Sequence, residues 1–132
     1  MKTLVVEDDF TSRIILQKIL TNFGDVDIAA NGAEAVEAFS ASLKDGTPYD
    51  LICMDIMMPE MDGQEALKRV RKIEQENGIP SSRETIVIMV TSLNDPGNVI
   101  EAYYRGGTTS YIIKPIDKRI LLGMLKNLNL IP

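Results

Sequence analysis

Two apolar runs of this sequence pass directly into acid. Glu7-Asp8-Asp9 follows Leu4-Val5-Val6, and Asp55 follows Leu51-Ile52-Cys53-Met54. If the two run ends meet in space, Glu7, Asp8 and Asp55 form a carboxylate set with no thiol or imidazole. Such a set suits a hard Mg²⁺ ion, which retains waters and binds a phosphoryl oxygen. Taken singly, Glu7-Asp8-Asp9 also reads as a solvated strand end and Asp55 as a helix cap. Two further apolar runs end in other polar groups: Ile86-Val87-Ile88-Met89-Val90 in Thr91-Ser92, and Tyr111-Ile112-Ile113 in Lys114-Pro115. Thr91 can donate to a phosphoryl oxygen, and Lys114 can neutralise charge as a flexible cation. Alone, each also fits an ordinary turn or surface position. Together, carboxylates, hydroxyl and ammonium are the combination that phosphorylation of a carboxylate requires.

That chemistry needs elements that bring four distant run ends to one edge. Continuous apolar runs are expected of strands covered on both faces, whereas Val26-Asp27-Ile28-Ala29 is mixed and suggests a more exposed strand. Between these five strands the apolar period becomes helical. Phe10, Ile14, Ile15, Ile19 and Phe23 form one stripe, ending at Gly24. Ala35, Val36 and Phe39 face inward from a second helix over Ala33 to Ser42. Ala66, Leu67, Val70 and Ile73 repeat in a third, opened by Asp62-Gly63. Asp95-Pro96 starts a fourth containing Val99, Ile100, Ala102 and Tyr103, and Gly106-Gly107 ends it. Asp117 caps a last helix with Ile120, Leu121, Met124, Leu125 and Leu128 on its apolar face. The connection carrying Glu74, Glu76, Arg83 and Glu84 reads as a solvated loop. The expected architecture is α/β: a doubly wound, five-stranded parallel sheet of flavodoxin-like (βα)₅ form, one domain over residues 1–132. Loops at the strand C-termini then share one edge, where function is expected.

Composition narrows the classes. The 132 residues hold 45% hydrophobic side chains and a formal charge of −5. This balance suits a globular core and disfavours nonspecific contact with nucleic acid or anionic lipid. Every apolar run is far shorter than the roughly 20 residues that span a bilayer, and the first residues carry no secretory pattern, so a cytoplasmic location is expected. Histidine is absent, so any phosphohistidine must come from a partner. Cys53, the single cysteine, reads as a buried small hydrophobe.

With these motifs assembled, the chain resembles the receiver domains of two-component response regulators, including stand-alone chemotaxis-type regulators. The matching pieces are Leu4 to Asp9 with Arg13, Met54 to Gly63, Val90-Thr91-Ser92, and Tyr111 to Pro115. The resemblance implies that Asp55 is the phosphoacceptor, that Glu7 and Asp8 bind Mg²⁺ with Asp55 and the Met57 backbone carbonyl, and that Lys114 contacts the phosphoryl group. It makes Thr91 the switch hydroxyl and Tyr111 the switch aromatic, places Asp9 just outside the metal pair, and implies a cis bond between Lys114 and Pro115. Met57 and Leu93 would flank the path of hydrolytic water. The donor would be a sensor histidine kinase or a histidine phosphotransfer protein. The output would pass to a downstream protein, with Tyr103, Tyr104, Lys118 and Arg119 near the output face, or through phosphorylation-dependent homodimerisation. The chain would catalyse its own phosphorylation and dephosphorylation rather than metabolic turnover. The rival readings are a phosphorylation-independent receiver-like adaptor and a flavin-binding flavodoxin-like protein.

Overall fold

The five apolar runs are strands: β1 (Thr3–Val6), β2 (Val26–Ala29), β3 (Leu51–Asp55), β4 (Ile86–Thr91) and β5 (Ser110–Ile113). They form one sheet of order β2-β1-β3-β4-β5, and every neighbouring pair is parallel. The chain's computed structural model describes residues 1–58, 60–92 and 110–132. Pro59, Leu93, Tyr104 and the stretch expected to form the fourth helix, from Asp95-Pro96 through Tyr103 to Gly106-Gly107, lie outside the described residues.

Alternation along the inner strands divides the core into two layers. Leu4, Val6, Ile52, Met54, Val87 and Met89 face Ala35 and Phe39 of α2 (Gly32–Lys44) and Ala66, Leu67 and Val70 of α3 (Gly63–Glu76). Val5, Cys53, Ile88, Val90 and Ile112 face Leu16, Ile19 and Leu20 of α1 (Phe10–Leu20) and Leu121 and Leu125 of α4 (Lys118–Asn127). Because successive strand side chains point to opposite faces, an unbroken apolar strand is what a sheet covered on both sides demands. β2 is an edge strand with Asp27 and Ile28 exposed, as its mixed composition predicts.

Three expectations are corrected. The buried side of α1 is Ser12, Leu16, Ile19 and Leu20, and Phe10 is 66% exposed beneath the Arg13 guanidinium, 5.6 Å from its ring centre. Phe10 directly follows the Asp9 cap and lies off the side of the helix that Ser12, Leu16, Ile19 and Leu20 bury. Ile120 in the first turn of α4 is exposed in the same way. Glu74, expected in a solvated loop, lies within α3 and is 1% exposed. Its carboxylate accepts from Arg71 Nη1 at 2.7 Å and from the Thr85 amide at 2.7 Å, and Arg71 also donates to the Thr85 carbonyl. Those hydrogen bonds tie the end of α3 to the start of β4 and offset the burial of a charge.

Candidate functional site

Parallel register aligns the ends of the strands. Val6 pairs with Met54, Asp55 with Val90, and Thr91 with Ile113, so Glu7, Asp55, Thr91 and Lys114 emerge along one edge. Ligand oxygens of Glu7, Asp8 and Asp55 lie within 4.8 Å of one another. Glu7 is fully buried, Asp55 is buried, and Asp8 is exposed. Lys114 reaches back across the sheet from the end of β5. Its Nζ donates to Glu7 Oε1 at 3.0 Å and to Asp55 Oδ2 at 3.3 Å. The Lys114 amide is held by the Thr91 carbonyl at 2.7 Å, and the bond from Lys114 to Pro115 is cis, as the resemblance implied.

The electrostatics follow from burial. Loss of solvent, then the hydrogen bonding and charge of Asp55, push the Glu7 carboxyl up to about 7, against the opposing pull of Lys114 and the Asp9 amide. Burial opposes the charge on Lys114, but its hydrogen bond to Glu7 and the charges of Asp55 and Glu7 outweigh it and raise the pKa. Lys114 is therefore a cation held between the Glu7 and Asp55 side chains. No N–H or hydroxyl donor among the described residues reaches the buried Glu7 Oε2, an arrangement that costs free energy unless a cation or proton faces it. An oxygen-only donor set with one buried, uncommitted oxygen fits a hard divalent cation.

The neighbours define the surroundings of Asp55. The Met57 amide donates to Asp55 Oδ1 at 3.2 Å, while the Met57 side chain is 58% exposed at the mouth. Thr91 is buried at the end of β4, and its hydroxyl donates to the Ser92 carbonyl at 3.3 Å. Tyr111 is half-exposed on edge strand β5, opposite Met89 and two rows below the Thr91 row. The cluster thus unites Glu7, Asp8, Asp55 and Lys114, has Thr91 beside it by register, and leaves Tyr111 apart.

Two contributors escaped the reading of motifs. Asp9 is not a bystander: its side chain caps α1, accepting from the Ser12 amide at 3.1 Å and the Ser12 hydroxyl at 2.7 Å, and its own amide donates to Glu7 Oε1 at 3.1 Å. Those Ser12 hydrogen bonds hold the Asp9 carboxyl below the usual carboxylate range. Gly63 does more than open α3. Its amide donates to the Ile56 carbonyl at 2.8 Å, and a Cβ there would collide with the Asp55 backbone carbonyl. A cleft of about 530 Å³ lined by Tyr49, Glu74, Ile79, Arg83 and Thr85 opens at the start of β3 and β4, the edge opposite Asp55.

The family described as response regulator receiver domain matches residues 3–126. A hybrid signal transduction histidine kinase B of Dictyostelium discoideum is 39% identical over 95% of this chain, which spans only 6% of that protein. The other hybrid and probable histidine kinases among the first relatives are likewise spanned over 7% to 12% of their length. The chemotaxis protein CheY of Bacillus subtilis is 36% identical over 97% of this chain and 98% of its own. Among solved structures, the receiver domain of the Saccharomyces cerevisiae response regulator Ssk1, crystallised with the histidine phosphotransfer protein Ypd1, aligns with a TM-score of 0.79 at 30% identity, covering 96% of this chain and 86% of the other. The CheX-CheY-BeF3-Mg complex of Borrelia burgdorferi gives 0.81 at 26% identity, covering 98% and 89%.

Proposed function

The chain belongs to the response regulator receiver domain family, and on that premise we propose that it is a phosphorylation switch in which Asp55 accepts a phosphoryl group from a phosphohistidine. The donor is a sensor histidine kinase or a histidine phosphotransfer protein, as the likeness to a receiver crystallised with such a protein supports. Lys114 carries the reading: one ammonium bridges Glu7 and Asp55 within a three-carboxylate cluster. A purely adhesive surface has no use for that arrangement.

An Asp55 carboxylate oxygen forms the new bond to phosphorus as the bond from phosphorus to the imidazole nitrogen breaks. The electron pair leaves with the imidazole. The Met57 amide on Oδ1 and Lys114 on Oδ2 hold the carboxylate plane during attack. Lys114 then faces the charge on the phosphoryl oxygens. Glu7, Asp8, Asp55 and the Met57 carbonyl would hold Mg²⁺, which supplies positive charge to the phosphoryl oxygens when bound. Thr91, buried at the end of the adjacent strand, turns its hydroxyl toward the new acceptors, and Tyr111 responds to the space this frees. Hydrolysis of the acyl phosphate returns the carboxylate and inorganic phosphate. The output is a changed contact with a downstream protein or with a second copy of the chain. No helix among the described residues is long and apolar enough to cross a membrane, in keeping with work in the cytoplasm.

Intact mass after incubation with acetyl phosphate tests the assignment. Wild type gains one phosphoryl unit with Mg²⁺ and little without it, and Asp55→Asn gains none because an amide is not an anionic nucleophile. Equal labelling of Asp55→Asn places the acceptor elsewhere.

A further inference from the structure

Glu7 has two oxygens with opposite environments. Oε1 accepts from the Asp9 amide at 3.1 Å and from Lys114 Nζ at 3.0 Å, whereas Oε2 is buried and reached by no N–H or hydroxyl donor among the described residues. What aims the Asp9 amide is the cap of α1. Asp9 is extended, at φ −81° and ψ 118°, and its Oδ2 takes both the amide and the hydroxyl of Ser12. Ser12 is itself 8% exposed, so its hydroxyl makes this contact largely out of solvent. The Asp9 carbonyl accepts the first helical bond from Arg13 at 3.0 Å.

We infer that Asp9 and Ser12 are positioning residues for Glu7: their capping contact commits one Glu7 oxygen to the Asp9 amide and leaves the other oriented for the cation. The inference rests on the reading of Glu7, Asp8 and Asp55 as the Mg²⁺ site. Neither Asp9 nor Ser12 belongs to the carboxylate cluster that would hold the cation. They act through the orientation of a buried carboxylate whose Oε1 the Asp9 amide fixes together with Lys114 Nζ. Because the contribution is geometric, it belongs to the acceptor oxygen of residue 9 and not to its charge.

Calorimetric titration of Mg²⁺ without phosphodonor, paired with thermal unfolding of the metal-free protein, separates the alternatives. Asp9→Asn keeps an oxygen that accepts from Ser12, and its Kd is expected within about twofold of wild type. Asp9→Ala is expected to weaken Mg²⁺ about tenfold and Ser12→Ala about threefold, at a temperature where every variant is folded. Ser12→Ala changes no charge, and serves alone if Asp9→Ala does not fold. An Asp9→Asn loss equal to that of Asp9→Ala would mean that charge acts and overturns the inference. So would a lower thermal midpoint in Asp9→Ala and Ser12→Ala with unchanged Kd, since the cap would then be merely structural. Failure of wild type to bind Mg²⁺ overturns the cation site and the inference together, whereas normal wild-type binding with unaffected variants overturns the inference alone.

Discussion

At the site, one side chain has two electrostatic duties that can be pulled apart. Lys114 stands 3.0 Å from Glu7 Oε1 and 3.3 Å from Asp55 Oδ2, and so acts as counter-ion to the same carboxylates that bind the cation. It also faces the place where phosphoryl charge arrives. Lys114→Met keeps much of the length and removes the charge, so the two duties move measurements in opposite directions. Mg²⁺ should bind a few-fold more tightly, because a competing positive charge has left the cluster. Phosphorylation at saturating Mg²⁺ should slow by about 100-fold, the scale of losing one preorganised group that stabilises developing charge. Titration calorimetry and time-resolved intact mass read the two effects. An unchanged rate with tighter Mg²⁺ binding would leave Lys114 as a counter-ion only. The residue types of this cluster were legible in the sequence because each follows an apolar strand. The choice of which Glu7 oxygen is free was not, since it depends on an amide orientation set by the Asp9 cap.

Among the elements, strands were easier to read than helices. β1, β3 and β4 are buried on both faces, which writes itself into composition as an uninterrupted apolar run. Helical stripes misled in two first turns. Phe10 and Ile120 follow the apolar period, yet each lies in a first turn on the side away from its buried neighbour, Ser12 or Leu121. Glu74 was invisible for a different reason. On a helix as polar as α3 a further glutamate signals solvent, and its partner amide at Thr85 is 11 residues away across a loop. Its burial has a mechanical consequence. Glu74 joins Arg71 on its own helix to the backbone of Thr85 at the entry to β4. Glu74→Ala leaves the Thr85 amide without its acceptor and Arg71 without its closest carboxylate, so the folded state should lose about 3 kcal/mol. Urea unfolding checks the loss. Because this clamp sits at the opposite edge from Asp55, Mg²⁺ affinity of the folded variant should stay within about twofold of wild type.

For the molecule as a whole, the site is a local excess of negative charge inside a chain of net charge −5. Three carboxylates converge and two of them, Glu7 and Asp55, share one ammonium, and folding forces that convergence on a chain that could otherwise keep the acids apart in water. A ligand that binds only the folded form stabilises it by mass action, so Mg²⁺ at about 100 times its Kd should add about 2.7 kcal/mol. For a domain of this size that corresponds to a thermal midpoint raised by roughly 10 °C. A general screening of net charge would predict a different pattern, because Na⁺ at equal ionic strength would then raise the midpoint as well, and removal of one carboxylate would matter little. Coordination at the cluster predicts the reverse. Sodium chloride matched for ionic strength should move the wild-type midpoint little, and Asp8→Asn should lose most of the Mg²⁺-dependent rise although its net charge changes by only one. Differential scanning calorimetry on both proteins, with each salt, decides between them. A rise that is the same in Asp8→Asn as in wild type would show that the cation acts on overall charge, and would remove Asp8 from the proposed Mg²⁺ shell.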